Sequence, residues 1–103
     1  MTDFKYVLAK VPTPELLAQT AEEAIELAHA ALKLRRTLSS SNPTPVTKGE
    51  AEDKFEEEIA DLLLCLALLG RDHRKPRCRD MMRAKLQRWA GRLRAREEDP
   101  DGQ

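Results

Sequence analysis

The segment from Pro14 to Leu38 contains no glycine, and its only proline is its first residue. Thr13 offers a capping hydroxyl before that proline, and Glu15 places a negative charge at the positive end of a helix dipole. Apolar residues then recur every three or four positions, which is helical spacing. They are Leu17, Ala21, Ala24, Ala28, Ala31 and Leu32. We predict one long helix here, ending at Arg36 or Leu38.

Two more helices are predicted from local signals. Thr47 and Glu50 form a Thr-x-x-Glu capping box, which indicates the start of a second helix that Gly70 ends. Pro76 begins a third helix, which we expect to extend to about Arg96. The apolar stripe of the third helix consists of Cys78, Met82, Trp89 and Leu93, with Met81 and Leu86 beside it.

The other segments connect or flank these helices. Residues 39–49 contain two prolines, which remove backbone donors, so we predict a loop. Residues 1–12 are predicted to be a short N-terminal segment packed on the body, and residues 97–103 a fraying tail. We therefore expect one all-α domain over residues 1–103, a bundle of three main helices.

The composition supports the all-α fold class and restricts where in the cell we expect the protein. A chain of 103 residues suits one domain, and four glycines with few β-branched residues leave little material for a sheet. The longest apolar run, residues 59–69, is shorter than the roughly 20 residues that a membrane span needs. Two cysteines without a signal-like N-terminus favour buried free thiols in a reducing cytoplasm. We expect a cytoplasmic protein with no membrane partner.

The charges are segregated along the chain, although the formal net charge is zero. Residues 15–61 carry 11 acidic and 5 basic residues, whereas residues 71–96 carry 11 basic and 2 acidic ones. A basic block of this kind is one mark of nucleic-acid binding, but the acidic neighbours and the zero net charge argue against it. We do not expect nucleic acid as a partner.

The run from Ile59 to Leu69 is apolar on almost every side of a helix, with Asp61 its only interruption. Two other helices cannot cover so wide a surface, but helices from a second chain can. The sequence therefore predicts that oligomerisation completes the bundle, as a symmetric homodimer or a dimer of dimers.

Two pairs of carboxylates have matching spacing. Glu23 and Glu26 are three residues apart, as are Glu58 and Asp61, so each pair shares a helix face. Asp61 lies among apolar residues, where a carboxylate is unfavourable unless a positive group meets it. If the two helices pack antiparallel, the pairs face each other, and either their pKa values rise or cations lie between them. Ligands that are all oxygen favour Mg²⁺ or Mn²⁺ over zinc.

Two other interpretations of these acids remain. In the first interpretation, each carboxylate is an ordinary surface acid paired with Lys or Arg, since the Glu-x-x-Glu spacing alone is common on helices. Alternatively, Glu26 and His29 form one Glu-x-x-His element of a di-iron site, which needs a second copy. His73 has no glutamate three residues before it, so that second copy is missing.

The run Glu22-Glu23-Ala-Ile-Glu26, followed by Glu57-Glu58-Ile-Ala-Asp61, resembles the signature of the MazG-like all-α nucleoside triphosphate pyrophosphohydrolases. The likeness extends from Pro14 to Leu69 and is strongest to the short members found in bacteria and their phages. The 31 residues between Glu26 and Glu58 slightly exceed the usual separation, and the Ser/Pro loop accounts for the difference.

The resemblance implies a Mg²⁺-dependent enzyme that hydrolyses a (d)NTP to a (d)NMP and pyrophosphate. It implies four metal ligands, Glu23, Glu26, Glu58 and Asp61. Glu22 would orient or deprotonate the attacking water. The alternative is a non-catalytic helical module of the same fold, which dimerises or binds a nucleotide or a protein.

Three basic residues are candidates to hold the phosphates of that substrate. Lys33 lies seven residues after Glu26, so it shares nearly the same helix face. Lys85 and Arg92 lie seven residues apart on the third helix. The alternative for each of the three is a solvated basic side chain that binds no phosphate. Contacts to the nucleobase would come from residues 39–45 or from the N-terminal segment.

Overall fold

The computed structural model describes residues 1–39, 41–99 and 101, and in this part of the chain it has four α-helices and no strand. The helices are α1 (Asp3–Lys10), α2 (Thr13–Leu38), α3 (Lys48–Leu69) and α4 (Pro76–Glu98). The predicted all-α class is confirmed. None of the helices in the described ranges is long and apolar enough to cross a membrane.

Helix α1 was not predicted, because residues 1–12 were expected to be only an N-terminal segment. Its local signals are nevertheless present. The hydroxyl of Thr2 accepts a hydrogen bond from the backbone N–H of Lys5 at 3.2 Å. Asp3 lies in the first turn and Lys10 in the last, where their charges complement the helix dipole.

Helix α2 has the predicted extent but differs at its start and in its packed face. Pro12 is the N-cap and makes no side-chain cap, so the prediction that Thr13 caps the helix is wrong. The predicted apolar stripe, which we call the outer stripe, is exposed. It comprises Leu17, Ala21, Ala24, Ala28, Ala31 and Leu32. The covered face lies beside it and consists of Leu16, Thr20, Glu23, Leu27, Ala30 and Leu34.

Helix α3 has the predicted boundary signals. Thr47 and Glu50 form the capping box, with the N–H of Glu50 donating to Thr47 Oγ1 at 3.1 Å. The loop therefore ends at Thr47, two residues before the predicted limit of 49. Gly70 has φ 68°, a left-handed conformation in which glycine meets no Cβ penalty and ends the helix.

The contact between α2 and α3 forms the core of residues 1–70, which are one compact unit. Late residues of α2 share a cleft with early residues of α3, as Lys33 does with Lys54, so the two helices run antiparallel. Only four apolar residues of the described chain are buried, namely Leu16, Ala30, Ala51 and Cys65. Both cysteines are free, as predicted, although only Cys65 is buried and Cys78 is half-buried. So small a core leaves much apolar surface uncovered.

The second compact unit begins at Arg71 and contains α4. Asp72 is only 4% exposed, and Arg74 holds it with its backbone N–H and its guanidinium, at distances from 2.7 to 3.2 Å. Helix α4 continues to Glu98, so the tail predicted from residue 97 starts two residues later. Pro100, Gly102 and Gln103, and Ser40 in the loop, lie outside the described residues.

Candidate metal centre

The four carboxylates predicted from sequence meet between α2 and α3. Glu23 and Glu26 come from α2, and Glu58 and Asp61 come from α3. One carboxylate oxygen from each residue lies within 4.8 Å of the others. The antiparallel packing of two i, i+3 pairs produces this convergence, because the spacing points both members of a pair across the same seam.

Glu58 occupies a core position of α3. The buried residues Ala51, Glu58 and Cys65 are seven apart, which places them on one face of the helix. Glu58 is 2% exposed, the least of any large side chain in the described residues. A carboxylate in this position is unfavourable unless a positive group compensates it.

Lys54 supplies part of that compensation. Its Nζ lies 2.8 Å from Glu58 Oε1, one helical turn earlier on α3. This hydrogen bond holds the pKa of Glu58 below its ordinary value, against the opposing effect of burial. The same bond raises the pKa of Lys54. Sequence reasoning did not select Lys54, although its i, i+4 spacing from Glu58 was a readable signal.

Two buried carboxylate oxygens have no hydrogen-bond partner among the described residues, Glu23 Oε2 and Glu58 Oε2. The other oxygen of Glu23 accepts a bond from Gln19 Nε2 at 2.7 Å. The negative charge of Glu23, followed by a hydrogen bond with Glu58 and then the charge of Glu58, raises the pKa of Glu26. The cluster therefore contains more negative charge than the chain itself neutralises.

A cleft of about 280 Å³ opens on one side of the carboxylates. It is lined by the two acids Glu26 and Glu58 and by Lys33, Lys54, His29 and Ala30. Lys33 thus lies beside the cluster, as its spacing from Glu26 predicted. The cleft therefore places two lysines beside two of the four carboxylates.

A second cleft, of about 370 Å³, opens beside Glu23 and Asp61. Apolar side chains form most of its lining, with Gln19 and Glu15 as further polar groups. The apolar lining residues are Val7, Val11, Leu16, Leu64, Cys65 and Leu68. Val7 and Val11 belong to the N-terminal segment, so that segment does reach the candidate site.

Three predicted site residues remain: Glu22 on α2, and Lys85 and Arg92 on α4. Glu22 is exposed on α2 next to Glu23 and is not one of the four converging acids. Lys85 and Arg92 are exposed on α4, in the second unit. Cys65 lines the apolar cleft, but burial, followed by the charge of Glu23, raises the pKa of its thiol. A protonated thiol is a poor nucleophile.

No protein-family model, no curated protein and no solved structure matches the chain.

Proposed function

We propose that the protein is a Mg²⁺-dependent nucleoside triphosphate pyrophosphohydrolase of the MazG-like type. The observation that carries this proposal is the convergence of four carboxylate oxygens within 4.8 Å, one of them on the 2% exposed Glu58. The sequence resemblance and the two clefts beside the cluster support the same function.

The donor set fits a hard divalent cation. Every ligand atom is a carboxylate oxygen, which suits Mg²⁺ or Mn²⁺. The mutual distances, all within 4.8 Å, would allow Glu23, Glu26, Glu58 and Asp61 to hold a divalent cation between them. The unpartnered oxygens of Glu23 and Glu58 are the atoms that such a cation would satisfy. When bound, Mg²⁺ supplies positive charge to phosphoryl oxygens and lowers the pKa of a water.

The order of the clefts favours cleavage between the α- and β-phosphates. The carboxylates lie between an apolar cleft and a lysine-lined cleft. A nucleotide placed with its nucleoside in the apolar cleft has its α-phosphate at the carboxylates and its β- and γ-phosphates at Lys33 and Lys54. Water then adds to the α-phosphorus, the bond to the bridging oxygen breaks, and pyrophosphate leaves toward the lysines.

The residues of the chain have distinct tasks in this reaction. Glu22 orients the attacking water or accepts its proton, since it borders the cluster without joining it. Lys33 and Lys54 stabilise the charge that develops on the leaving pyrophosphate. Lys85 and Arg92 are proposed to contribute further positive charge from α4.

The proposal includes self-association. Large apolar side chains remain exposed on all four helices of the described chain, among them Leu17, Leu64 and Trp89. A second copy of the chain would cover them and complete a helical bundle.

The decisive experiment measures the products of hydrolysis. A panel of NTPs and dNTPs is incubated with purified protein in Mg²⁺, Mn²⁺ or EDTA, and pyrophosphate and inorganic phosphate are quantified separately. We expect pyrophosphate and the nucleoside monophosphate, with no turnover in EDTA. Glu58→Gln should abolish turnover, whereas Glu56→Gln, an exposed acid on the same helix, should not. Nucleotide binding without turnover across the panel would instead support a non-catalytic module.

A further inference from the structure

Two carboxylates of the cluster are held in the same way, one on each helix. On α2, Gln19 Nε2 donates to Glu23 Oε1 at 2.7 Å. On α3, Lys54 Nζ lies 2.8 Å from Glu58 Oε1. In both pairs the donor is four residues before the acid, one helical turn earlier. The second oxygen of each acid is buried and has no hydrogen-bond partner among the described residues, so it is left for a further ligand.

The other two acids of the cluster follow a carboxylate instead of a donor. The residue four positions before Glu26 is Glu22, and the residue four positions before Asp61 is Glu57. An ionised carboxylate accepts hydrogen bonds but cannot donate one. Glu23 is therefore the only one of the two α2 ligands that the preceding turn of its own helix orients.

The two donors differ in charge, and this difference matters for a cation. The ammonium of Lys54 neutralises part of the charge of Glu58, whereas the amide of Gln19 is neutral. Gln19 thus holds one oxygen of Glu23 and leaves its full negative charge to attract a cation. Because the ionised carboxylate only accepts hydrogen bonds, it also fixes the amide, with the NH₂ group toward Glu23.

The hydrogen bond from Gln19 is exposed, so by itself it contributes little to the stability of α2. Its effect on a bound metal is expected to be larger. Hydrogen-bond partners of metal ligands hold each ligand in the orientation that the ion requires. A free glutamate side chain loses its rotamer freedom when the ion binds, whereas a side chain that is already held has less to lose.

We propose that Gln19 is a positioning residue, which holds the Glu23 carboxylate so that its buried Oε2 meets the divalent cation of the cluster. This inference rests on the proposed function, because it takes the four carboxylates as a metal centre. Gln19 also lines the apolar cleft beside Glu23. Direct contact with a bound nucleoside is therefore the competing role, and the experiment has to separate the two.

Calorimetric titration with Mg²⁺, in the absence of nucleotide, measures the affinity of the cluster directly. Gln19→Met removes the donor but keeps a long side chain that favours helix, and it should raise the Mg²⁺ Kd about 10- to 100-fold. Gln19→Ala should raise it as much, which excludes the bulk of methionine as the cause. Gln87→Met makes the same change at an exposed glutamine of α4 and should leave the Kd at its wild-type value.

Two further measurements separate positioning from a structural role. Loss of one exposed i, i+4 hydrogen bond should lower the melting temperature without Mg²⁺ by at most about 2 °C. Pyrophosphate release by Gln19→Met should fall at limiting Mg²⁺ and return to the wild-type level at saturating Mg²⁺, because only the affinity for the cation has changed.

Three results would overturn the proposal. If Gln19→Met binds both Mg²⁺ and nucleotide as the wild type does, Glu23 needs no positioning, and the proposed hydrolysis is unaffected. If it binds Mg²⁺ normally but nucleotide more weakly, Gln19 contacts the nucleoside instead. A wild-type protein that binds no Mg²⁺ at millimolar concentration removes the metal centre and this inference together. If the wild type binds Mg²⁺ but releases no pyrophosphate, a raised Kd in Gln19→Met still supports the inference while the proposed function fails.

Discussion

Lys54 Nζ lies 2.8 Å from Glu58 Oε1, so the chain itself provides one positive charge to the most buried carboxylate of the cluster. The same ammonium is 3.6 Å from Glu57 Oε2, which is exposed. Lys54 therefore pairs with only one of the four converging carboxylates, and Glu58 Oε2 stays without a partner in the described chain. Repulsion among these carboxylates opposes the packing of α2 on α3, so we expect the stability of the protein to depend on each charge of the cluster.

Replacing Lys54 by methionine keeps most of the aliphatic stem but removes the charge. We expect the melting temperature without Mg²⁺ to fall by several degrees, because Glu58 then has no cationic partner in its buried position. Added Mg²⁺ should raise the melting temperature of Lys54→Met more than that of the wild type, since the cation replaces the lost charge. Differential scanning calorimetry with and without Mg²⁺ measures both effects.

Lys48→Met provides the matched control. Lys48 is also on α3 and also pairs with a glutamate four residues later, but its distance to Glu52 is 3.8 Å and both side chains are exposed. Exposed pairs of this kind contribute little to stability. Equal decreases in melting temperature in Lys54→Met and Lys48→Met would mean that the burial of Glu58 does not strengthen its ion pair with Lys54.

Asp61→Asn tests the proposed metal centre at a second carboxylate of α3. The amide preserves the shape of the side chain but removes one of four converging charges. We expect Mg²⁺ affinity and pyrophosphate release to collapse, while the metal-free protein melts at a higher temperature because repulsion is relieved. Calorimetric titration with Mg²⁺, an activity assay at limiting Mg²⁺ and a thermal melt measure the three quantities.

Asp53→Asn serves as its control, since Asp53 is an exposed acid on the same helix and outside the cluster. Wild-type turnover by Asp61→Asn at limiting Mg²⁺ would show that the cluster does not hold the catalytic metal.

The helices and the carboxylate cluster could be predicted because their signals are local and periodic. Residue type and spacing are enough to recognise the capping box at Thr47, the glycine at Gly70 that ends α3, and the two i, i+3 acid pairs. The face of α2 that packs could not be predicted in the same way. Leu17 and the alanines repeat as regularly as the covered residues, which include the polar Thr20 and Glu23. Only the contact with α3 decides between two adjacent stripes.

Lys54 illustrates a second limit of sequence reasoning. A lysine within a run of charged residues is usually interpreted as a solvated side chain. Its role as the partner of a core carboxylate becomes evident only once Glu58 is known to be buried. Conversely, α1 had readable capping signals in Thr2 and Asp3, but eight residues are too few for a helix to be stable without packing.

The Asp72 carboxylate links stability to pH. Hydrogen bonds from the side chain of Arg74, then its backbone N–H and charge, lower the pKa of Asp72 from 3.8 to about 2. A lowered pKa stabilises the folded state above the unfolded value of 3.8. That contribution disappears as the pH falls through 3.8 toward 2, where the folded carboxylate takes up its proton.

Urea denaturation of the wild type and Asp72→Asn between pH 6 and pH 2 measures this contribution. We expect the wild type to be more stable at pH 6 and the difference between the two proteins to narrow steadily below pH 4. Asp80→Asn, an exposed acid in the same unit, should show no such narrowing. A difference that stays constant down to pH 2 would contradict the link to Asp72 ionisation.

Lys33 tests the phosphate end of the site. It lines the same cleft as Glu26, Glu58 and Lys54, where the leaving pyrophosphate would lie. Lys33→Ala should lower kcat/KM by roughly one to two decades, the loss of a charge-assisted hydrogen bond of about 1.5–3 kcal/mol. Lys33→Glu should lower it further because it repels the phosphates, and Lys33→Arg should retain part of the activity because the charge remains. Helix stability should barely change in the alanine variant, since alanine is the better helix former.

Arg36→Ala is the control and should keep wild-type kinetics. Arg36 is an exposed base three residues later on α2, and it lines a different cleft. Steady-state kinetics at saturating Mg²⁺ separates the outcomes. If kcat/KM of both Lys33→Ala and Lys33→Glu stays within about twofold of wild type, Lys33 is a solvated lysine with no contact to the phosphates. Lys54 would then be the phosphate-binding cation of this cleft.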